Sequence, residues 1–309
     1  MYIVNTIAPV FLVIALGLVL RRAGFLSSEL AAGISKVAYW VALPALLFGE
    51  VAKAFGTAAG LGNALVIVVA GVGGAMLAAY LAARAMRMTG GQTGAFVQAA
   101  FRGNLTYVGL AVIISAFPAG GHGSPQAAAV LVLAPIVPLH SVLAIIVLLA
   151  GQHTLSRAAV GKMAWQIVTN PLLLACVAAM LWAIGGVRMP TAIERTLSVI
   201  GQIALPAALL AIGAGLADIK LAGNVLPSVA ASLIKVGLAP AIGYVAALAL
   251  GAGPTETAVA LIMLACPTAT VSYILTEQLQ GDTKIAAGAV VVSTVLSIIS
   301  LSVVLAAVM

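Results

Sequence analysis

Apolar runs of about 20 residues, the length that crosses a bilayer as a helix, follow one another along this chain with only short polar breaks between them. Ten runs can be counted: 2–20, 32–54, 61–83, 92–117, 126–150, 168–186, 192–217, 225–250, 256–277 and 284–308. The breaks carry glycine, proline or charge, as in Arg21-Arg22-Ala23-Gly24 and Gly185 to Pro190. The longest polar connection, Gly151 to Lys162, has five runs on either side. The two sides also repeat. Pro9 and Pro171, Gly24 and Gly186, and Ala42-Leu43-Pro44 and Ala204-Leu205-Pro206 all stand 162 residues apart. Five is odd, so two such halves enter the membrane with opposite orientations. The pattern predicts an all-α membrane protein of ten transmembrane helices in two inverted five-helix repeats. The repeats would be 1–150 and 168–309, joined by a 151–167 connection.

Composition agrees. The 309 residues are 63% hydrophobic and 7% charged, with a mean hydropathy of +1.23. Soluble domains carry roughly 25% charged residues, so most of this exterior must face lipid. The net charge of +7 comes from cations scattered between apolar runs, which reads as a topology signal and not as a nucleic-acid surface. Arg21, Arg22, Arg84, Arg87, Arg157, Lys162, Lys220 and Lys284 fall on one side, against Lys53, Arg188 and Arg195 on the other. The richer side is expected to be cytoplasmic, which places both termini outside and the 151–167 loop inside, in a plasma membrane or bacterial inner membrane. Cys176 and Cys266 lie within apolar runs and read as packing residues, and no metal or other cofactor is expected.

Span 4 holds Gln98, Arg102, Gly103, Asn104, Thr106, Tyr107 and Gly109. Such polar groups are costly in lipid unless they face protein or water, and two glycines weaken the helix. Span 9 reads Cys266-Pro267-Thr268-Ala269-Thr270-Val271-Ser272-Tyr273; Pro267 removes a backbone donor. Position 104 moved by the repeat interval falls beside Pro267. Two interrupted spans at corresponding places point to a transport site at the midplane. This makes Arg102, Asn104, Thr106, Tyr107, Pro267, Thr268, Thr270 and Ser272 the candidate substrate-binding residues. The plain alternatives are a continuous span 4 packed through its small residues, and a proline-kinked span 9 whose hydroxyls bond to their own backbone. Glu50, His140 and Glu277 are candidates for proton uptake during transport; the two glutamates also suit an interface, and the histidine a packing role. Lys235 lies mid-span 8, and with Arg102 it favours an anionic substrate unless it snorkels or pairs with an acid. Asp282 is placed to cap span 10. No phosphate loop, His-Glu-x-x-His or metal-spaced Cys/His cluster is present; His122 and Ser124 do not form a triad.

These residues resemble the auxin efflux carrier family, which includes the plant PIN carriers and bacterial permeases. The likeness rests on Leu43-Pro44-Ala45-Leu46-Leu47-Phe48, Arg102-Gly103-Asn104 with Tyr107 and Gly109, Leu205-Pro206, Pro267-Thr268-Ala269, Gly281-Asp282, and Ser293-Thr294 with Ser297. It covers essentially the whole chain. The resemblance implies a bile-acid-symporter-like fold, in which a panel of spans 1, 2, 6 and 7 faces a core of spans 3–5 and 8–10, with broken spans 4 and 9 crossing in the core. It also implies an organic-anion substrate, auxin-like or dicarboxylate, and a homodimer. One departure is visible. Many relatives carry a proline soon after the glycine matching Gly109, whereas Leu110 and Ala111 follow here. A milder break in span 4, or one carried by Gly103 and Gly109, is therefore expected.

The expectation is a secondary active transporter for a small organic anion, working by alternating access, with Pro44 and Pro206 as hinges of the panel helices. A passive anion channel on the same scaffold is the alternative; a membrane-embedded enzyme or a receptor lacks supporting residues. Acids within the spans are too sparse for a clear sodium site, which leaves proton coupling or uniport.

Overall fold

A computed structural model describes residues 2–54, 61–117, 125–151, 161, 165, 168–187, 189–219 and 225–309, without the side chains of 53, 54, 61 and 127. Most of the 151–167 connection lies outside the described residues, as do Arg157, Lys162, Arg188, Lys220, His122 and Ser124. Among the described residues the chain is helical throughout, apart from turns, caps and one β-type bridge. In order the helices are α1 (Tyr2–Arg22), α2 (Ser28–Val37), α3 (Leu43–Ala54), α4 (Leu61–Ala85), α5 (Gly90–Phe101), α6 (Leu110–Ala116), α7 (Pro125–Ala150), α8 (Pro171–Ile184), α9 (Thr191–Gln202), α10 (Ala204–Asp218), α11 (Leu226–Leu233), α12 (Ala239–Leu250), α13 (Pro254–Ala265), α14 (Val271–Gln278) and α15 (Thr283–Val308). Three π-helical turns, Ala38–Ala42, Leu105–Gly109 and Ile234–Leu238, join α2 to α3, lead into α6, and join α11 to α12.

Seven continuous helical stretches among the described residues are long and apolar enough to cross a membrane, and three apolar helices, Leu105–Ala116, Pro171–Ile184 and Pro254–Ala265, are shorter. Two of the short ones belong to interrupted spans. Local chemistry sets the ends. Asp282 accepts from the N–H groups of Lys284 and Ile285 at 3.0 and 3.2 Å, so it caps α15 as the sequence suggests. Asn170 does the same for α8, with Pro171 at the first helical position. Gly24 and Gly186, one repeat interval apart, both adopt positive φ (+78° and +64°), which glycine enters without steric cost.

The helices pack as two groups. In one, α1 and α2 lie on α10, and α3 lies on α8 and α9. In the other, α4 meets α5, α12 and α13, while α15 meets α5, α11 and α13, and α7 meets α5 and α13. These groups correspond to the panel and core that the resemblance implies. Water is absent between lipid-embedded helices, so close approach depends on small residues. At the α1–α10 contact a Cβ on Gly213 would stand 1.9 Å from the Ile14 carbonyl oxygen, and one on Gly17 would stand 2.2 Å from that of Leu210. Gly213→Val must therefore push the two backbones apart, at a cost of about 1–3 kcal/mol or more. A lower thermal unfolding midpoint and less monodisperse protein are expected. Gly73→Val, where no atom lies within 4 Å of the added Cβ, is expected to unfold like the parent.

Candidate functional site

The α5 helix stops at Phe101, and Arg102 turns to an extended conformation (φ −77°, ψ 92°). The chain resumes helical form only at Leu105. The break in span 4 is thus complete without a proline after Gly109, and the milder break suggested by Leu110 and Ala111 is not found. Span 9 breaks between Ala265 and Val271. The two extended pieces run antiparallel, with Gly103 opposite Thr268. The Asn104 N–H donates to the Pro267 oxygen at 2.7 Å, and the Ala269 N–H to the Arg102 oxygen at 3.0 Å. Crossing therefore lets each broken strand satisfy the other's backbone, as an interior without water requires.

Three of the carbonyls at the two helix ends are met by side chains. The Thr268 hydroxyl donates to the Ala99 oxygen at 2.8 Å, the Cys266 thiol to Ile262 at 3.1 Å, and the Lys235 ammonium to Leu264 at 2.6 Å. Ser293 Oγ accepts from the Thr268 N–H at 2.9 Å. On the far side of the break, Val108 and Gly109 both donate to the Asn104 oxygen. The N–H groups of Leu105, Thr106 and Tyr107 precede the first intrahelical bond and have no intrahelical acceptor.

A cavity of about 650 Å³ opens beside this crossing. Its core wall is Arg102 to Tyr107, with His140 and Ser141 of α7 and Ala269 to Val271; its panel wall is α2 with Tyr39 and Trp40, and α10 from Ala208 to Asp218. The Arg102 Nη1 atom is buried and has no hydrogen-bond partner among the described residues. The one ion pair among them joins Arg21 to Asp218 at 2.9 Å, at the cavity mouth, where Ser28 donates to the same carboxylate. It ties α1, α2 and α10 together and leaves Arg102 uncompensated. His140 is 4% exposed; its Nε2 likewise has no partner, and its ring meets Phe101 edge-on at 5.8 Å.

Of the candidate residues, Arg102, Asn104, Thr106, Tyr107, Thr270 and His140 line this cavity. Pro267 and Thr268 do not. Their polar atoms are engaged in the crossing, so they build the site without facing it. Ser272 is buried behind Thr270, its hydroxyl unpartnered among the described residues. Glu277 is exposed near the end of α14, away from the cavity. Glu50 lines a second cavity, of about 410 Å³, together with Glu194, Ser198 and Ser115. Along α10 the two cavities divide: Leu205 to Leu209 face the second, Ala208 to Asp218 the first. They divide likewise along span 2, where 28–40 face the first and 45–50 the second. Pro44 lies between the two linings on span 2, and Pro206 lines the second cavity close to where the first begins on α10. A π turn precedes Pro44, and an interruption at Ile203 precedes Pro206. Sequence reasoning missed the panel wall, above all Tyr39 and Trp40, two aromatic rings packed edge to face at 5.8 Å.

No curated protein matches the chain in sequence. The family described as membrane transport protein matches residues 2–305. Helices of membrane-crossing length, two broken ones that cross, and a match over nearly every residue agree: this integral membrane protein belongs to the membrane transport protein family, that of the auxin efflux carriers.

Proposed function

We propose that the chain is a secondary carrier that moves a small organic anion by alternating access, on ten spans arranged as two inverted five-helix repeats. The 162-residue interval supports the repeat: it relates Gly24 to Gly186, both at positive φ, and it carries the Asn104 break onto the span 9 break. The observation that carries the anion is the Arg102 guanidinium in the wall of a cavity, its buried Nη1 atom without a partner among the described residues. A carboxylate would take its free donor, the Asn104 amide, and the N–H groups that begin the helix after the break, where the helix dipole favours negative charge. Thr106, Tyr107 and Thr270 supply further hydroxyls. Tyr39 and Trp40 offer an apolar wall to the anion's body.

The two cavities support alternating access. They lie towards opposite ends of span 2 and span 7, and their linings adjoin at Ala208 and Leu209. Rocking of the core against the panel would open one and close the other, with the backbone bending at Pro44 and Pro206. On the positive-inside orientation the larger cavity opens to the cytoplasm, past Lys36 and Asp218, and both termini lie outside. His140 in the larger cavity and Glu50 in the smaller remain the groups placed to exchange a proton with the solute path.

The test is thermal stabilisation of the purified chain by indole acids, malate, malonate, lactate and bile acids, since a ligand that binds only the folded state raises apparent stability. At least one anion is expected to raise the midpoint, and Asn104→Ala is expected to remove that rise without lowering the ligand-free midpoint. The side chain of Asn104 lines the cavity while its backbone alone holds the crossing, so the substitution leaves the fold intact. No shift from any anion would overturn the organic-anion reading. Accelerated exchange from preloaded vesicles then separates a carrier from a passive channel, which shows none.

A further inference from the structure

Lys235 is a buried charge that the anion site does not use. It sits in the π turn Ile234–Leu238, is 1% exposed, and neither snorkels to an interface nor pairs with an acid among the described residues. Its Nζ donates to the Leu264 oxygen at 2.6 Å, in the last turn of α13. On its other side it abuts the crossing. A Cβ on Gly103 would lie 2.9 Å from Lys235 Cε and 3.1 Å from Nζ. The missing side chain at Gly103 is what admits the ammonium.

An unpaired ammonium at this depth is costly, so something must stabilise it. Both α5 and α13 end at the crossing, and helix C-termini carry partial negative charge. Several carbonyls of those last turns are met by neutral donors: Ala99 by Thr268, Ile262 by Cys266, Gln98 by the Arg102 N–H. Leu264 alone among them is met by a full cation. In carriers built on broken helices, unwound carbonyls and half-helix C-termini are what coordinate a mobile coupling cation. Here the chain itself supplies the positive charge.

We propose that Lys235 is a resident cation, a tethered ammonium that fills the cation position behind the crossing and sets its charge without a bound metal ion. Its role in transport rests on the crossing being the anion site; its role as a filled cation position does not. Two consequences follow. The native protein has no use for sodium at this point. Removal of the charge opens a carbonyl-lined position to sodium or lithium.

The experiment compares thermal unfolding of the purified full chain in sodium, lithium and choline chloride at equal ionic strength, with no organic anion present. The wild type is expected to unfold at the same temperature in all three. A rise specific to sodium or lithium in the wild type would overturn the proposal, because a filled position takes no second cation. Lys235→Gln is expected to unfold several degrees lower in choline and to recover part of that loss in sodium or lithium. A Gln variant with no cation response, whatever its stability, overturns the proposal and leaves Lys235 a hydrogen-bonding filler. Should Lys235→Gln give no folded protein, Lys235→Arg is read in its place: charge retained, it is expected to be cation-indifferent, and a cation response there counts against the proposal. Because no organic anion enters these measurements, their failure and a failed anion panel are separate results.

Discussion

Arg102→Gln is expected to weaken binding of the stabilising anion about 10- to 100-fold, the equivalent of one charge-assisted hydrogen bond, while the protein stays folded. The backbone and side chain of this residue do different work. The Arg102 oxygen accepts from the Ala269 N–H and so holds the crossing; glutamine keeps that bond. The guanidinium Nη1 has no partner among the described residues, so truncating it orphans no internal acceptor. A partly buried cation without a counter-charge carries a desolvation cost, and losing it is expected to leave the ligand-free unfolding midpoint unchanged or higher. Lower affinity with retained or increased stability is the signature of a group kept for binding. Undiminished affinity would move the anion away from the crossing. A large fall in midpoint would make Arg102 a structural residue instead.

How far the sequence led depends on the kind of signal. Both breaks were legible, because Gly103, Asn104 and Pro267 weaken a helix wherever they stand, and a repeat interval ties the two places together. The extent of the span 4 break was not, because its cause is tertiary: Arg102 to Asn104 can leave the helix only where residues 267 to 269 take up their backbone groups. The same pairing decides which hydroxyls face the cavity. Thr268 and Thr270 look alike as letters, yet Thr268 is bound to Ala99 while Thr270 lines the cavity. In an interior without water, a hydroxyl beside a freed carbonyl is claimed by it first. Tyr39 and Trp40 were missed for another reason. They reach the cavity from a π turn, which shifts the register of side chains around the helix, and hydropathy along the chain carries no trace of that turn. The partner of Lys235 was equally hidden, since it is a backbone oxygen of another span.

The two-cavity arrangement makes an all-or-none prediction about chemical access. Single cysteines at Ser35 and Ser198 are expected to be labelled by a membrane-impermeant maleimide from opposite faces, Ser198→Cys in intact cells and Ser35→Cys only after the inner face is exposed. Ser35 lines the larger cavity and Ser198 the smaller. On the orientation inferred from the basic residues, the first opens inwards and the second outwards. The background is silent, because the native Cys176 and Cys266 are both 0% exposed. The labels also read the transport cycle. If the core rocks against the panel, an anion that favours one state must change the two labelling rates in opposite directions, because the movement that closes one cavity opens the other. A continuous channel admits both labels from one face. Rates that rise or fall together would mean loosening of the whole fold, so only the opposed response belongs to alternating access.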